Sequence, residues 1–231
     1  MASLDELRDE FDRWAREGRG AGMEEGHRAV TSLIIDRMDL GPDSRVLDLG
    51  CGTGWATRLL ADRVRSGMAV GLDVSEEMVR HARDHAGDQP NVNFRVLREG
   101  RFPFHDGVFT HALSIESLYY HPDLAATFRE LHRVLAPGGR VFAMVNYFKE
   151  NPYVHHWASL LDVPVQLLGG DDYCALARRA GFATCRHETI PDPTPVPPDY
   201  SGRHYGDAET MRAARAIGSL LVVCEKARTG A

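Results

Sequence analysis

Four cysteines in 231 residues, at positions 51, 174, 185 and 224, form no CxxC pair and no regular framework. That spacing excludes a disulfide-stapled scaffold and a cysteine-based zinc site. Apolar flanks such as "YCALARR" and "VVCEKA" predict thiols acting as small buried hydrophobes. Long hydrophobic runs are also missing, none reaching the roughly 18 residues that a membrane span needs. Basic excess is absent: 27 Lys and Arg against 33 Asp and Glu give a net charge of -6, and nucleic-acid binding needs a basic face. The opening "MASLDELRDEFDRW" is acidic and has no apolar secretory core. These absences predict a cytoplasmic protein that engages neither membrane nor nucleic acid.

What is present is ordinary in bulk and specific in detail. Hydrophobic residues make up 43% and charged residues 26%, enough for one domain with a substantial core. Ser3 and Glu6 form a capping-box pattern, followed by Leu4, Leu7, Phe11 and Trp14 at helical spacing. Glycines 18, 20 and 22 are expected to stop that helix, with a second one over 23–38. Strand and helix patterns then alternate: "RVLDL", "WATRLLADRV", "MAVGLDV", "SEEMVRHARDHA", "NVNFRVL", "GVFTHALSI", "DLAATFRELHRVL" and "PGGRVFAMVNY". Such alternation predicts a Rossmann-like, doubly wound parallel sheet. Beyond it lie an irregular insertion over about 147–169, a helix at "DDYCALARRAGF", and strands at "ATCRHETI" and "SLLVVCEKA". Between those strands, "PDPTPVPPDY" holds five prolines in ten residues and is expected to be a stiff connection.

The chemistry sits in "RVLDLGCGTGW", residues 45–55. A strand ending in glycines before a helix permits close backbone approach by a ligand. No Gly-Lys-Ser/Thr follows, so the loop is not a triphosphate P-loop. A dinucleotide fingerprint asks for glycine where Trp55 or, in the other register, Thr57 stands. The pattern present is Asp48-x-Gly50-x-Gly52-x-Gly54. A carboxylate in that turn repels a pyrophosphate and favours an ammonium or sulfonium group. Asp73 ends the next strand 23 residues after Gly50, where an acid can bind both ribose hydroxyls.

Taken together, "VLDLGCGTGWATRLLA", "VGLDVSEEMVRHAR" and "ELHRVLAPGGRVF" resemble the class I S-adenosylmethionine-dependent methyltransferase family over roughly residues 44–146. The resemblance implies an α/β sheet of seven strands in the order 3-2-1-4-5-7-6, the seventh antiparallel. It implies an N-terminal helical extension over 1–40 that closes on the cofactor, ahead of a methyltransferase domain over 41–231. S-adenosylmethionine is then the cofactor. Asp48, Gly50, Gly52 and Gly54 would border its methionine part, Asp73 its ribose, Val74 and Met78 its adenine, and Ser114 the transferring methyl. Where the family often reads Gly-Asp-Ala, this chain has Leu97 and Arg98 followed by Glu99, so Arg98 and Glu99 become candidates at the adenine end. Thr110 also replaces an aspartate that commonly precedes the fourth strand's body.

On the acceptor side, the loop "SIESLYYHPD" supplies Glu116, Tyr119, Tyr120 and His121. His121 is a candidate general base, and the two tyrosines are candidates to orient a small-molecule substrate. Trp14, Met23 and His27 from the N-terminal segment, with Trp55, Asn146 and Tyr147, complete the expected substrate set. No metal is expected: His81 and His85 lack the intervening Glu of a zinc helix, and adjacent His155 and His156 cannot easily share an ion. A nucleobase amino-methyltransferase is disfavoured because "SIES" stands where that class carries its Asn/Asp-Pro-Pro-aromatic turn. Two other readings stay open: a non-catalytic cofactor-binding protein acting through a partner and, least favoured, an NAD-dependent oxidoreductase.

Overall fold

A computed structural model describes residues 3–228 of the chain. Helix α1 (Leu4–Arg16) starts on the expected capping box: Ser3 Oγ accepts from the Glu6 amide, and Glu6 Oε2 accepts from the Ser3 amide. Helix α2 spans Arg19–Arg37 and begins four residues before the expected start. Only Gly18, in the left-handed region at φ 74°, breaks the chain, while Gly20 and Gly22 lie inside α2. Tertiary packing explains the difference, because Val30, Ile34, Ile35 and Met38 are all buried and anchor the helix.

The sheet follows with β1 (Arg45–Leu49), α3 (Trp55–Arg63), β2 (Met68–Asp73), α4 (Glu76–Asp84), β3 (Val92–Val96) and β4 (Phe109–Ile115). After it come α5 (Leu124–Val134), β5 (Leu135–Val145), α6 (Gly170–Arg179) and β6 (Thr184–Ile190). A two-strand hairpin, β7 (Ser201–Gly202) with β8 (Gly206–Asp207), precedes α7 (Ala208–Ile217) and β9 (Ser219–Glu225). Strand order in the large sheet is β3-β2-β1-β4-β5-β9-β6. With the hairpin set aside, this is the expected 3-2-1-4-5-7-6 order, β9 being its seventh strand and antiparallel to both neighbours.

Alternation along the strands divides the core. Leu47, Leu49, Val141, Ala143 and Val145 pack on one face with Phe128 and Leu131 of α5. Val46, Leu113, Phe142 and Met144 face the other side, where α2 and α3 lie. A fully buried leucine such as Leu60 contributes on the order of 2 kcal/mol by burial, and its truncation to alanine costs about 2–5 kcal/mol. Asp48 shares the Val46 face, which brings its carboxylate to Thr57 on α3.

The tail holds one irregular segment of the kind expected and one helix that was not. The insertion contains a 3-10 segment, Pro152–Leu160, capped by Asn151. Helix α7 went unforeseen, although Asp207 caps it by accepting from the Thr210 amide and Met211 and Ala214 bury one face. The proline run does connect β6 to this hairpin and helix. Cys174, Cys185 and Cys224 converge from α6, β6 and β9 as free thiols, with Sγ separations of 2.7 and 2.9 Å. No described helix is long and apolar enough to cross a membrane.

Candidate active site

The turn after β1 is shaped by glycine. Gly50 has φ 73°, and a Cβ there would lie 2.3 Å from the Ser117 Cβ, so any side chain would both strain the backbone and strike the loop after β4. The Gly50 and Cys51 amides both reach the Leu72 carbonyl, tying the turn to the end of β2. Asp73 completes that link: Oδ2 accepts from the Gly52 amide at 2.8 Å and Oδ1 from the Ser75 amide at 2.9 Å. Gly54, also left-handed, lets α3 approach β3, since a Cβ would meet the Phe94 ring at 2.6 Å. It lies behind the turn, away from the cavity.

A first cavity opens beyond the carboxyl ends of β1, β2 and β4, at the switch point of the sheet. Asp48, Gly50, Gly52, Asp73, Val74 and Met78 line it, as does Trp55. Helix α1 covers it with Leu7, Phe11 and Trp14. That helix is fastened in place because Asp12 accepts from the Ser75 hydroxyl at 2.5 Å and from the Glu77 amide at 3.1 Å. Ser114 does not reach the cavity. Its hydroxyl meets Ser117 Oγ at 2.9 Å, and Ser117 is the serine on the wall. Arg98 and Glu99 also lie off it: Arg98 is exposed and paired with Glu76 at 2.6 Å, and Leu97 lines the space instead.

A second cavity of about 470 Å³ adjoins the first through Trp14, Arg19, Met23, His27, Glu116 and Tyr120, which border both. Its far walls come from Tyr147 after β5, Trp157 of the 3-10 segment, and Tyr200 and Tyr205 of the hairpin region. Tyr119 and Asn146 open only onto this second space, and His121 and Trp55 only onto the first. The Asp192–Arg215 ion pair, at 3.1 Å and mostly shielded, braces the rim. Of these far walls Tyr147 was singled out from sequence, and Trp157, Tyr200 and Tyr205 were not. The short hairpin beside Tyr200 and Tyr205 has only a weak local signature.

The titratable groups differ sharply in state. Burial drives His121 down to about 4, leaving it neutral, with Nδ1 at 3.0 Å from Thr127 Oγ1. His27 is likewise driven down to about 4 by burial. Asp48 is pushed up to about 7 by burial, partly offset by the Thr57 hydroxyl at 2.6 Å. Burial also raises Asp73, against the amides that it accepts from. Glu116 is pushed up to about 7 by burial, with the Asn146 amide and Tyr119 hydroxyl opposing. Among the described residues, no arginine or lysine pairs with any of these three acids. No group of three or more His, Cys, Asp or Glu among the described residues is placed to hold a metal.

A buried acid at the end of β2, a glycine turn after β1 and an apolar slot under α1 define an α/β protein with a cavity at the switch point of its sheet. Comparison with known proteins gives the family. A profile for a methyltransferase domain matches residues 46–139. A chain of the Haloferax volcanii complex that joins the Trm112 methyltransferase activator to a methyltransferase superposes with a TM-score of 0.87 at 33% identity, covering 95% of this chain and 98% of that one. Methyltransferase GfsG of Streptomyces halstedii is 35% identical over 121 residues, 51% of this chain and 43% of that protein. The 27-O-demethylrifamycin SV methyltransferase of Amycolatopsis mediterranei is 33% identical over 125 residues, 52% of this chain and 45% of that protein. The matched region thus spans less than half the length of these two curated relatives. The chain belongs to the class I S-adenosylmethionine-dependent methyltransferase family.

Proposed function

We propose that the first cavity holds S-adenosylmethionine and the second a small-molecule methyl acceptor, so that the protein is a small-molecule methyltransferase. The observation that carries this reading is the pair of buried acids, Asp48 and Asp73, on the wall of one cavity and bridged to no arginine or lysine, since Arg19, which also lines it, is paired with Glu17 at 2.8 Å. Buried carboxylates without counter-ions are costly, and a ligand with cationic and hydroxyl groups relieves that cost. The residues fit the cofactor. Asp73 keeps lone pairs free for a ribose diol, Val74, Met78 and Leu97 suit a flat base, and Asp48 suits an ammonium group.

When bound, S-adenosylmethionine supplies an electrophilic methyl group on sulfur. The protein's part is positioning, worth about 7–11 kcal/mol in well-oriented cases. Asp73 and the glycine turn hold one partner. Trp14, Tyr120 and Glu116, on the boundary between the cavities, fix the approach of the other. Phe11 supports Tyr120 edge-on at 5.0 Å, and α1 keeps water from the junction.

Calorimetry with S-adenosylhomocysteine and NAD tests the cofactor half of this reading. Binding of the thioether and no binding of NAD is expected; the reverse overturns it. Labelled-methyl transfer over pools of metabolites tests the acceptor half. Likeness to the Haloferax volcanii chain favours a second reading, in which activity depends on an activator protein. Co-purification of the tagged protein from its own host, followed by activity with and without the captured protein, separates the two readings.

A further inference from the structure

We propose that Glu116 selects the acceptor and takes its proton, so that the substrates of this site are flat apolar molecules presenting an N–H or O–H nucleophile. This rests on the methyltransferase reading above and deepens it.

Four observations converge on Glu116. It borders both cavities, whereas His121 borders only the first, so a base that must touch the acceptor is better supplied by the glutamate. Its side chain is 5% exposed and is aimed by two donors: the Tyr119 hydroxyl bonds Oε2 at 2.9 Å, and the Asn146 amide bonds Oε1. Each oxygen so engaged retains a lone pair for one more donor. Its backbone sits at φ 54°, a conformation that a non-glycine residue holds only when its surroundings impose it. Asn146 is itself fixed, its Oδ1 accepting from the Ser219 hydroxyl at 2.5 Å, so the carboxylate is held from β5 and β9 as well as from its own loop.

The walls supply the rest of the specificity. Tyr147, Trp157, Tyr200 and Tyr205 make the second cavity a slot for ring systems or other flat apolar bodies. Among the described residues Glu116 is the one acid that lines both spaces; Arg19, which also lines both, is paired with Glu17, and Asp192 lines only the second and is paired with Arg215. A nucleophile that carries no N–H or O–H leaves the carboxylate without a donor. In the step itself, the acceptor's lone pair forms the new bond to the methyl carbon, and the electrons of the carbon–sulfur bond stay on the thioether sulfur. The proton of the N–H or O–H passes to a Glu116 oxygen.

The test uses the full chain loaded with S-adenosylhomocysteine and three matched neutral probes: 2-naphthol, 2-naphthylamine and 2-methoxynaphthalene. Affinities are read by calorimetry and saturation-transfer NMR. The alcohol and the amine are expected to bind roughly tenfold tighter than the ether, a preference lost in Glu116→Gln. Should that variant fold poorly, Glu116→Gly removes the carboxylate while relieving the positive φ. Equal binding of all three probes, no binding of any, or an unchanged preference in the variant overturns the proposal. S-adenosylhomocysteine affinity separates the two levels. If the thioether binds and the probes do not discriminate, only the role of Glu116 falls; if it does not bind, the methyltransferase reading falls as well.

Discussion

The two cavities share a wall but are made of different material. The first is built largely from backbone and from residues fixed by the β1–α3 and β2–α4 turns: Gly50, Gly52, Asp73 and Ser75 within 26 consecutive positions. The second is built from side chains that arrive from the loop after β4, the 3-10 segment, the hairpin and α7. A cradle made of backbone tolerates few substitutions and serves a fixed ligand. A slot made of loop side chains can change without disturbing the sheet, which suits a variable acceptor.

That contrast yields predictions, the largest at the boundary itself. Glu116→Gln should lower turnover by about 10²–10⁴-fold, the usual worth of a general base, with donor affinity changed less than about twofold. Parallel measurement of single-turnover rates and of S-adenosylhomocysteine binding checks this, and equal loss in both would erase the division between the cavities.

The same residue has a signature in stability. Its folded-state carboxyl titrates at about 7 against an ordinary 4.5, so between those values the folded protein holds more protons than the unfolded chain. Stability attributable to Glu116 is therefore lost as pH rises across that window, on the order of 3 kcal/mol in all. Denaturant titrations of Glu116→Gln should show a flatter profile there and greater stability at pH 8. A variant equally pH-sensitive would mean that burial does not govern this group.

On the backbone side, Asp73→Ala should weaken S-adenosylhomocysteine binding by about 10–100-fold, or about 1.4–2.8 kcal/mol. It also frees the Gly52 and Ser75 amides, so Asp73→Asn serves as the milder control. Within the slot, Trp157→Ala should reduce 2-naphthol affinity roughly tenfold and leave donor affinity alone. The smallest effect belongs to Arg98→Ala, because an exposed ion pair with Glu76 is worth about 0–1 kcal/mol and lies off the cavity. Donor affinity should change less than about twofold, as thermal-shift titration would show.

How legible each cavity was follows from how it is made. The strand order, the glycine turn and the acid at the end of β2 are carried by contiguous motifs, so "VLDLGCGTGW" and "VGLDVS" led directly to them. Ser114 and Ser117 illustrate the limit: both lie in the expected stretch, but strand alternation and the turn after β4 decide which hydroxyl faces the space. Arg98 and Glu99 were reached by family position, and the chain passes them on the solvent side. Helix α7 carried a readable signal in Asp207, Thr210, Met211 and Ala214, overshadowed by the prolines just before it. Trp157, Tyr200 and Tyr205 had no such signal, because only the folded tail brings them to Glu116.

Titration of S-adenosylhomocysteine into Asp73→Ala and Glu116→Gln, side by side with the parent protein, tests the separation of the two cavities most directly. The structure predicts at least a tenfold loss of affinity in the first variant and a change below about twofold in the second. Unchanged affinity in Asp73→Ala, or a comparable loss in both, would contradict it.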